Sequence, residues 1–436
     1  MATLHTLTLT TLADSIKESA STLQSLLTQH QLPQPDFSPT GRKDWSDAQF
    51  VPAILTARSH LIDNAQTLLN LALGPTDILA AYAGSRMTEI EVLRTFNSLA
   101  VAEAVPIYGQ ISVPDLARKL GVKQVSAFEK QLRFAYLMGM FRQTDDGEVA
   151  HTALSAAIPE SSAWIGLRLG KIFNQGAYEI ADALRLGPGE GKTNIPCAIV
   201  DPKGLARTAY LQLEDEPDGK GMDRFSTAMK DLFNHHAGGS LLPFVHGFDW
   251  DSLGREATVV DIGGGNGHIE AGIADQVPGV NFVVQDRQSN EEPARQLIEA
   301  NGLTGRVQFQ AHDFFHPQPN LPDGRTPNAY LLIRVLQDWE DPDGVRIIKP
   351  LVPAMEKFGT KLWIMNRILP DVGELPNHSE RLLRTLDLLV FTLSGGGERT
   401  AKDLDRMLKQ ADERLRITKI TRPLNSLFSF IEIVLQ

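Results

Sequence analysis

The sequence predicts an α/β protein: a doubly wound, Rossmann-like nucleotide-binding sheet, preceded by a mainly helical domain that contains a winged helix. Three observations predict it. Ala257–Arg287 (ATVVDIGGGNGHIEAGIADQVPGVNFVVQDR) reads as strand, glycine turn, helix and strand, a βαβ unit. From there to the end, apolar β-branched runs alternate with helical patterns, as in a parallel sheet with crossover helices. Between residues 89 and 155, two short helices, a longer helix and a hairpin signal follow one another.

The amino-terminal elements come first. Residues 1–30 form an amphipathic helix, with Leu12, Ile16, Leu23, Leu26 and Leu27 on a face that needs a partner surface. Leu32–Asp44 carries prolines and a glycine and reads as a linker. Phe50–Leu73 is helical again by the spacing of Val51, Leu55, Leu61, Ala65, Leu68 and Leu69. Glu89–Ala102 is an apolar helix stopped by Val105-Pro106. Ser112 then caps a short helix with Pro114 in its first turn, and Gly121 ends it. Ser126–Met138 makes the next helix, and Gly139–Thr152 a hairpin around Asp146-Gly147. The first domain is accordingly 1–155, a winged helix with its leading helices.

Residues 156–245 read as a helical connection and pocket cover. Trp164–Leu184 is one element, interrupted at Asn174-Gln175-Gly176, where Asn174 and Gln175 could reach a pocket. Gly187–Asp201 reads as loop and Met222–His236 as helix. His235 and His236 are adjacent, so on a helix they diverge by about 100° and make a poor metal pair. No metal site is expected.

The second domain, 156–436, is built on the βαβ unit. Ala257–Ile262 is a buried strand, Gly263–Gly267 the turn, His268–Val277 a helix, and Asn281–Gln285 the second strand, with Asp286 at its end. Glycines let the backbone approach a ligand closely. The helix start offers free N–H groups. An acid at the end of the second strand can accept from ribose hydroxyls. A glycine turn without a ligand is the plainer alternative, but Asp286 stands about twenty residues on, at the spacing of a nucleotide site. Helices at Glu292–Asn301, Pro342–Met355, Arg381–Phe391 and Ala401–Gln410 alternate with strands at Val307–Ala311, Asn328–Ile333 and Lys361–Met365. Leu415–Ile420 and Leu427–Leu435 close the sheet.

Composition narrows the partners. The formal charge of −11 argues against nucleic acid, which wants a basic patch. One cysteine, Cys197, excludes an internal disulfide or a cysteine-rich metal site and fits a reducing compartment. No apolar run reaches membrane-spanning length, and the start lacks a basic-then-apolar leader pattern. A cytoplasmic protein with a small-molecule substrate is expected.

Five segments stand in a telling order: DIGGGNGH at Asp261–His268, VVQDR at Val283–Arg287, HDFF at His312–Phe315, YLLIRVLQDWEDPDGVRII at Tyr330–Ile348 and GGGERT at Gly395–Thr400. In that order they resemble the S-adenosylmethionine (SAM)-dependent plant/fungal-type (class I) O-methyltransferase family. The resemblance covers most of the chain from Glu89 on. It implies SAM as cofactor. Asp261 with Gly263, Gly265 and Gly267 would face its methionine end. Asp286 would hold the ribose, with Arg287 beside it, and Asp313 would bond the adenine amine while Phe314 packs on the ring. It also implies a homodimer through the winged-helix domain.

The departures are as informative as the matches. Methyl-transferring members have histidine at the second position of L-x-D-W, where it takes the proton of the substrate hydroxyl; here Gln337 stands there. Glutamine cannot take a proton at neutral pH and can only share hydrogen bonds. The family's glutamate before I-L-P, which orients that histidine, is Asn366, whereas the third family residue survives as Glu398. The catalytic candidates are therefore Gln337 and Asp338. Their foremost reading is a non-methylating enzyme that resembles the fungal O-methyltransferase-like pericyclases, in which Gln337 donates to a carbonyl of a polyketide- or pyridone-type substrate. The alternative is methyl transfer to an acidic hydroxyl that needs no base. A non-catalytic dimeric scaffold is the third.

Overall fold

The computed structural model describes residues 7–48, 51–160, 170–186, 195–215, 247–274, 276–423 and 426–436, with five isolated positions between them. The chain divides into two compact units near residue 170.

In the first unit, the helix Leu9–Gln29 starts where the Thr8 hydroxyl accepts from the Thr11 N–H, and it buries Leu12, Leu23 and Leu27. The surface it needs comes from the helix Pro52–Ala83, which buries Ile54 and Ala57 and is kinked where Gly74 takes φ 73° before Pro75. Helices Ser85–Ser98, Val101–Ala104, Val113–Lys119 and Val125–Leu137 follow. Strands β1 (Gln110–Ile111), β2 (Phe141–Gln143) and β3 (Val149–His151) pair antiparallel in the order β1-β3-β2. This is the winged helix, packed around Phe96, Phe128 and Phe141. The helix expected over Glu89–Ala102 instead breaks before its end. Ala100 lies in the left-handed region at φ 53°, and its N–H bonds back to the Asn97 carbonyl. Alanine favours helix, so no local signal marks that stop.

The second unit corrects three expectations. Asn174-Gln175-Gly176 does not interrupt a helix: Gly170–Tyr178 runs through it. Gly176 is there because a Cβ would collide with Cys197 and Thr392, so it serves close packing. Gln175 is exposed and Asn174 half-buried, and the break that made them pocket candidates is gone. A short helix, Pro196–Ile199, occupies part of the expected Gly187–Asp201 loop. The helix expected at Pro342–Met355 is two, Asp341–Ile348 and Val352–Phe358, joined by a 3-10 turn at Lys349–Leu351. Pro350 and Pro353 both lack the N–H that a continuous helix would use. The calls on Trp164–Leu169, most of Met222–His236 and the His235-His236 pair lie outside the described residues.

The sheet is as expected. Its strands are β4 (Ala257–Ile262), β5 (Val280–Asp286), β6 (Val307–Ala311), β7 (Ala329–Ile333) and β8 (Lys361–Asn366). A short parallel pair, β9 (Ile368–Leu369) and β10 (Arg399–Thr400), stands apart. β11 (Leu415–Thr421) and β12 (Ser429–Leu435) complete the main sheet, whose order is β6-β5-β4-β7-β8-β12-β11. β4 to β8 are parallel, and β12 runs antiparallel to β8 and β11. Val260, Ile262, Leu332, Ile364 and Ile431 belong to its buried core. The chain leaves β4 toward β5 and β6, then returns to β7 on the other side. That reversal opens a crevice outside the carboxyl ends of β4 and β7, where α/β sheets take their ligands. Among the described residues no helix is long and apolar enough to cross a membrane.

Candidate active site

Beyond β4 the glycine loop follows the shape its residues demand. Gly263, Gly265 and Gly267 take φ 77°, 62° and 75°, which side chains resist. The sequence pattern passed over Gly264, yet its position is the tightest of the four: a methyl there would strike the Asp261 carboxylate. Gly263 lies under Val335, and the Phe314 ring is close to the same spot. At the end of β5, Asp286 Oδ2 accepts from the Gly265 N–H at 2.8 Å. Its Oδ1 accepts from Arg287 N at 2.7 Å and Asn290 Nδ2 at 2.8 Å. Asp286 therefore braces the loop itself, and the Arg287 side chain is exposed. Asp313 is exposed and accepts from the Phe315 N–H at 3.0 Å. Phe314 and Phe315 meet Trp339 edge-on, with centroids 5.8 Å and 5.1 Å from it, which joins this segment to the turn carrying Gln337 and Asp338.

A side-chain-free cradle, a braced acid at the end of β5 and a nearby aromatic fit a nucleoside ligand with an amino-acid end. Asp286→Ala should weaken SAM binding roughly 100-fold, the loss of about 3 kcal/mol in charge-assisted hydrogen bonds. Titration calorimetry checks it, and unchanged affinity would remove Asp286 from the site.

Past β7, Arg334 adopts φ 57° and donates its N–H to the Met365 carbonyl. The 3-10 turn Leu336–Asp338 follows. It is clamped from outside: Arg399 Nη1 donates to the Leu336 carbonyl at 2.6 Å, Nη2 to the Trp339 carbonyl at 2.7 Å, and Nε to Asp341 at 2.8 Å. A side chain at Gly396 would run into the Gln337–Trp339 backbone. The GGGERT segment thus shapes this turn.

The turn presents the buried side chain of Gln337 and the half-buried one of Asp338. Gln337 is 3% exposed, and Arg367 Nη1 stands 3.5 Å from its Oε1. Asp338 Oδ1 accepts from the Tyr210 hydroxyl at 3.0 Å. Burial pushes the Asp338 carboxyl up to about 6, held back by the Arg334 charge and the Tyr210 bond. Arg334 is itself pushed down, by burial and then by Arg367. Arg367 forms a buried ion pair with Glu398, brought together by the β9–β10 pairing of Ile368 with Arg399. Burial pushes the Glu398 carboxyl up, and Arg367 opposes that. Both guanidinium groups lie over the Phe428 ring, at 6.0 Å for Arg334 and 5.2 Å for Arg367. Asn366 is buried, and its Oδ1 accepts no hydrogen bond from the described residues.

The structure therefore brings Gln337 and Asp338 together with residues that sequence reasoning missed. Arg334 was legible as a cation inside the segment Tyr330–Ile348, and Arg367 as the residue after Asn366. Tyr210 had no signal, for it reaches Asp338 across 128 residues of chain. Glu398 meets Arg367 rather than Gln337.

A model of the O-methyltransferase domain matches residues 222–412. The chain is similar to O-methyltransferase FrzF of Cladobotryum, with 33% identity over 86% of this chain and 87% of that one. It is similar to the 6-hydroxytryprostatin B O-methyltransferase of Neosartorya fischeri, with 30% identity over 85% and 88%. Among solved structures it resembles OxaC, with TM-score 0.74 and 21% identity over 98% of this chain and 100% of that one. NcsB1, from neocarzinostatin biosynthesis and solved with SAM, aligns with TM-score 0.63 and 21% identity over 80% and 96%. At such identity these two likenesses are of fold.

Proposed function

The chain belongs to the SAM-dependent O-methyltransferase family, and we propose that it methylates an acidic hydroxyl of a small molecule, with Asp338 as the proton acceptor. The observation that carries this is the half-buried Asp338 carboxyl, bonded by Tyr210 and pushed up to about 6, beside the position where the family keeps its base. Such a group is ionised at neutral pH and still basic enough to take a proton from a phenol or enol. Tyr210 holds Oδ1, and we assign the proton to Oδ2. Asp261, the loop glycines, Asp286, Asp313 and Phe314 would hold the cofactor, which supplies a methyl group on a sulfonium. Asp338 would take the proton of the substrate hydroxyl, leaving an oxygen that can accept the methyl group the bound cofactor would supply. Arg367, near Gln337 Oε1, orients the amide so that Nε2 faces the substrate oxygen. The Arg334 and Arg367 charges favour that oxygen as an anion. The names of the relatives support methyl transfer, since FrzF and the Neosartorya fischeri enzyme are both called O-methyltransferases. The exposed Leu69, Leu71, Leu73, Leu79, Tyr82 and Met87 of the first unit support the expected homodimer.

A second reading keeps SAM without methyl transfer: a pericyclase acting on a polyketide- or pyridone-type substrate. Two buried amides, Gln337 and Asn366, favour it, because both replace ionisable family residues. One reaction with methyl-labelled SAM separates the two. Methyl transfer predicts label in the product, and a further rise in rate with Gln337→His. An unlabelled product, of unchanged mass or of mass reduced by water, would overturn methyl transfer in favour of the pericyclase.

A further inference from the structure

Two acids lie beneath the glycine loop, and only one of them has a place in the site described above. Asp261 stands near the end of β4 and is 1% exposed; Glu270, in the first turn of the helix His268–Ala274, is 0% exposed. None of their four carboxyl oxygens has a well-formed hydrogen bond from another described residue. Beside Asp261 in the sheet are Val284 and Leu331, both apolar. The charged groups that act on it are Glu270 and, from β5, Asp286, all three of one sign.

A buried carboxylate with neither a cation nor a donor is strongly disfavoured, and two in contact cannot both ionise. The donor that can satisfy them is a proton of their own, held between the two groups. Burial accordingly pushes both carboxyls up, and the neighbouring Glu270 and Asp286 push Asp261 further in the same direction. Such a pair titrates as a unit.

We propose that Asp261 and Glu270 share one proton in the cofactor-free protein and release it to solvent when a ligand bearing positive charge binds at the glycine loop, so that SAM binding is linked to proton release. SAM carries an ammonium and a sulfonium, and positive charge near the pair favours its fully ionised form. Glu270 is then a positioning residue: it keeps Asp261 bonded in the empty protein and frees it for a cation. This rests on SAM as the ligand, but not on which reaction follows.

Calorimetric titration of the full-length protein with SAM, at one pH in two buffers of different ionisation enthalpy, counts the protons released. About one per SAM is expected, with affinity rising up to roughly tenfold per pH unit while the free pair still holds its proton. In Glu270→Gln the amide donates to Asp261 permanently. Binding should persist, and both the proton release and the pH slope should vanish. Binding without proton release in the unmodified protein, or undiminished release in Glu270→Gln, overturns the linkage alone. Absence of any binding overturns the cofactor assignment and the linkage with it. If the variant does not fold, the proton count of the unmodified protein decides.

Discussion

Asp338→Asn should lower kcat/KM about 10²- to 10⁴-fold, the range set by losing a well-placed general base, with SAM affinity nearly unchanged. Asparagine keeps the size of the side chain and can still bond Tyr210, so the fold should survive. The pH profile identifies the role. With Asp338 raised to about 6, activity of the unmodified enzyme should fall as pH drops through that value and the base is protonated. Tyr210 and Arg334 both favour the ionised carboxylate. Tyr210→Phe should therefore move the acid limb to higher pH, while Asp338→Asn should abolish it. A rate loss in Tyr210→Phe with no shift in the limb would make Tyr210 merely structural. Full activity in Asp338→Asn would end its role as base.

Glu398→Ala should destabilise the fold by about 3–5 kcal/mol, as when one partner of a buried ion pair is removed. Arg367 would keep its charge in a place where its side chain is 3% exposed and Arg334, over the same ring, repels it. Removing both charges is predicted to be milder: Arg367→Met with Glu398→Ala should recover most of the loss, because no uncompensated ion remains. Denaturant unfolding measures both variants. Equal destabilisation in the single and double variants would show that the cost lies in packing rather than charge.

The glycine loop and the sheet were legible because each strand is a short apolar run with its own punctuation. Ala257–Ile262 and Val307–Ala311 match their expected bounds residue for residue. The candidate catalytic cluster was legible only in part, because a motif read in sequence order hides what lies beside it in space. Gln337 was found as a departure from a pattern, and Asp338 as the retained aspartate beside it. Tyr210 depends on a helix placed by tertiary packing, and Arg367 matters because a two-residue strand pairs it with the Glu398 segment. Gly264 was missed for a different reason. Its backbone is ordinary, and only the side chain of Asp261 makes a methyl impossible there.

The clamp of Arg399 and Gly396 on the turn has an evolutionary consequence. The shape of that turn is secured by Arg399 on the backbone carbonyls of Leu336 and Trp339, bonds that do not involve the side chain at 337. Glutamine and histidine codons differ by a single base. A lineage could thus exchange a hydrogen-bond donor for a titrating base in one mutational step, without rebuilding the scaffold, and new reactions would arise in this fold by drift at a position whose surroundings stay put.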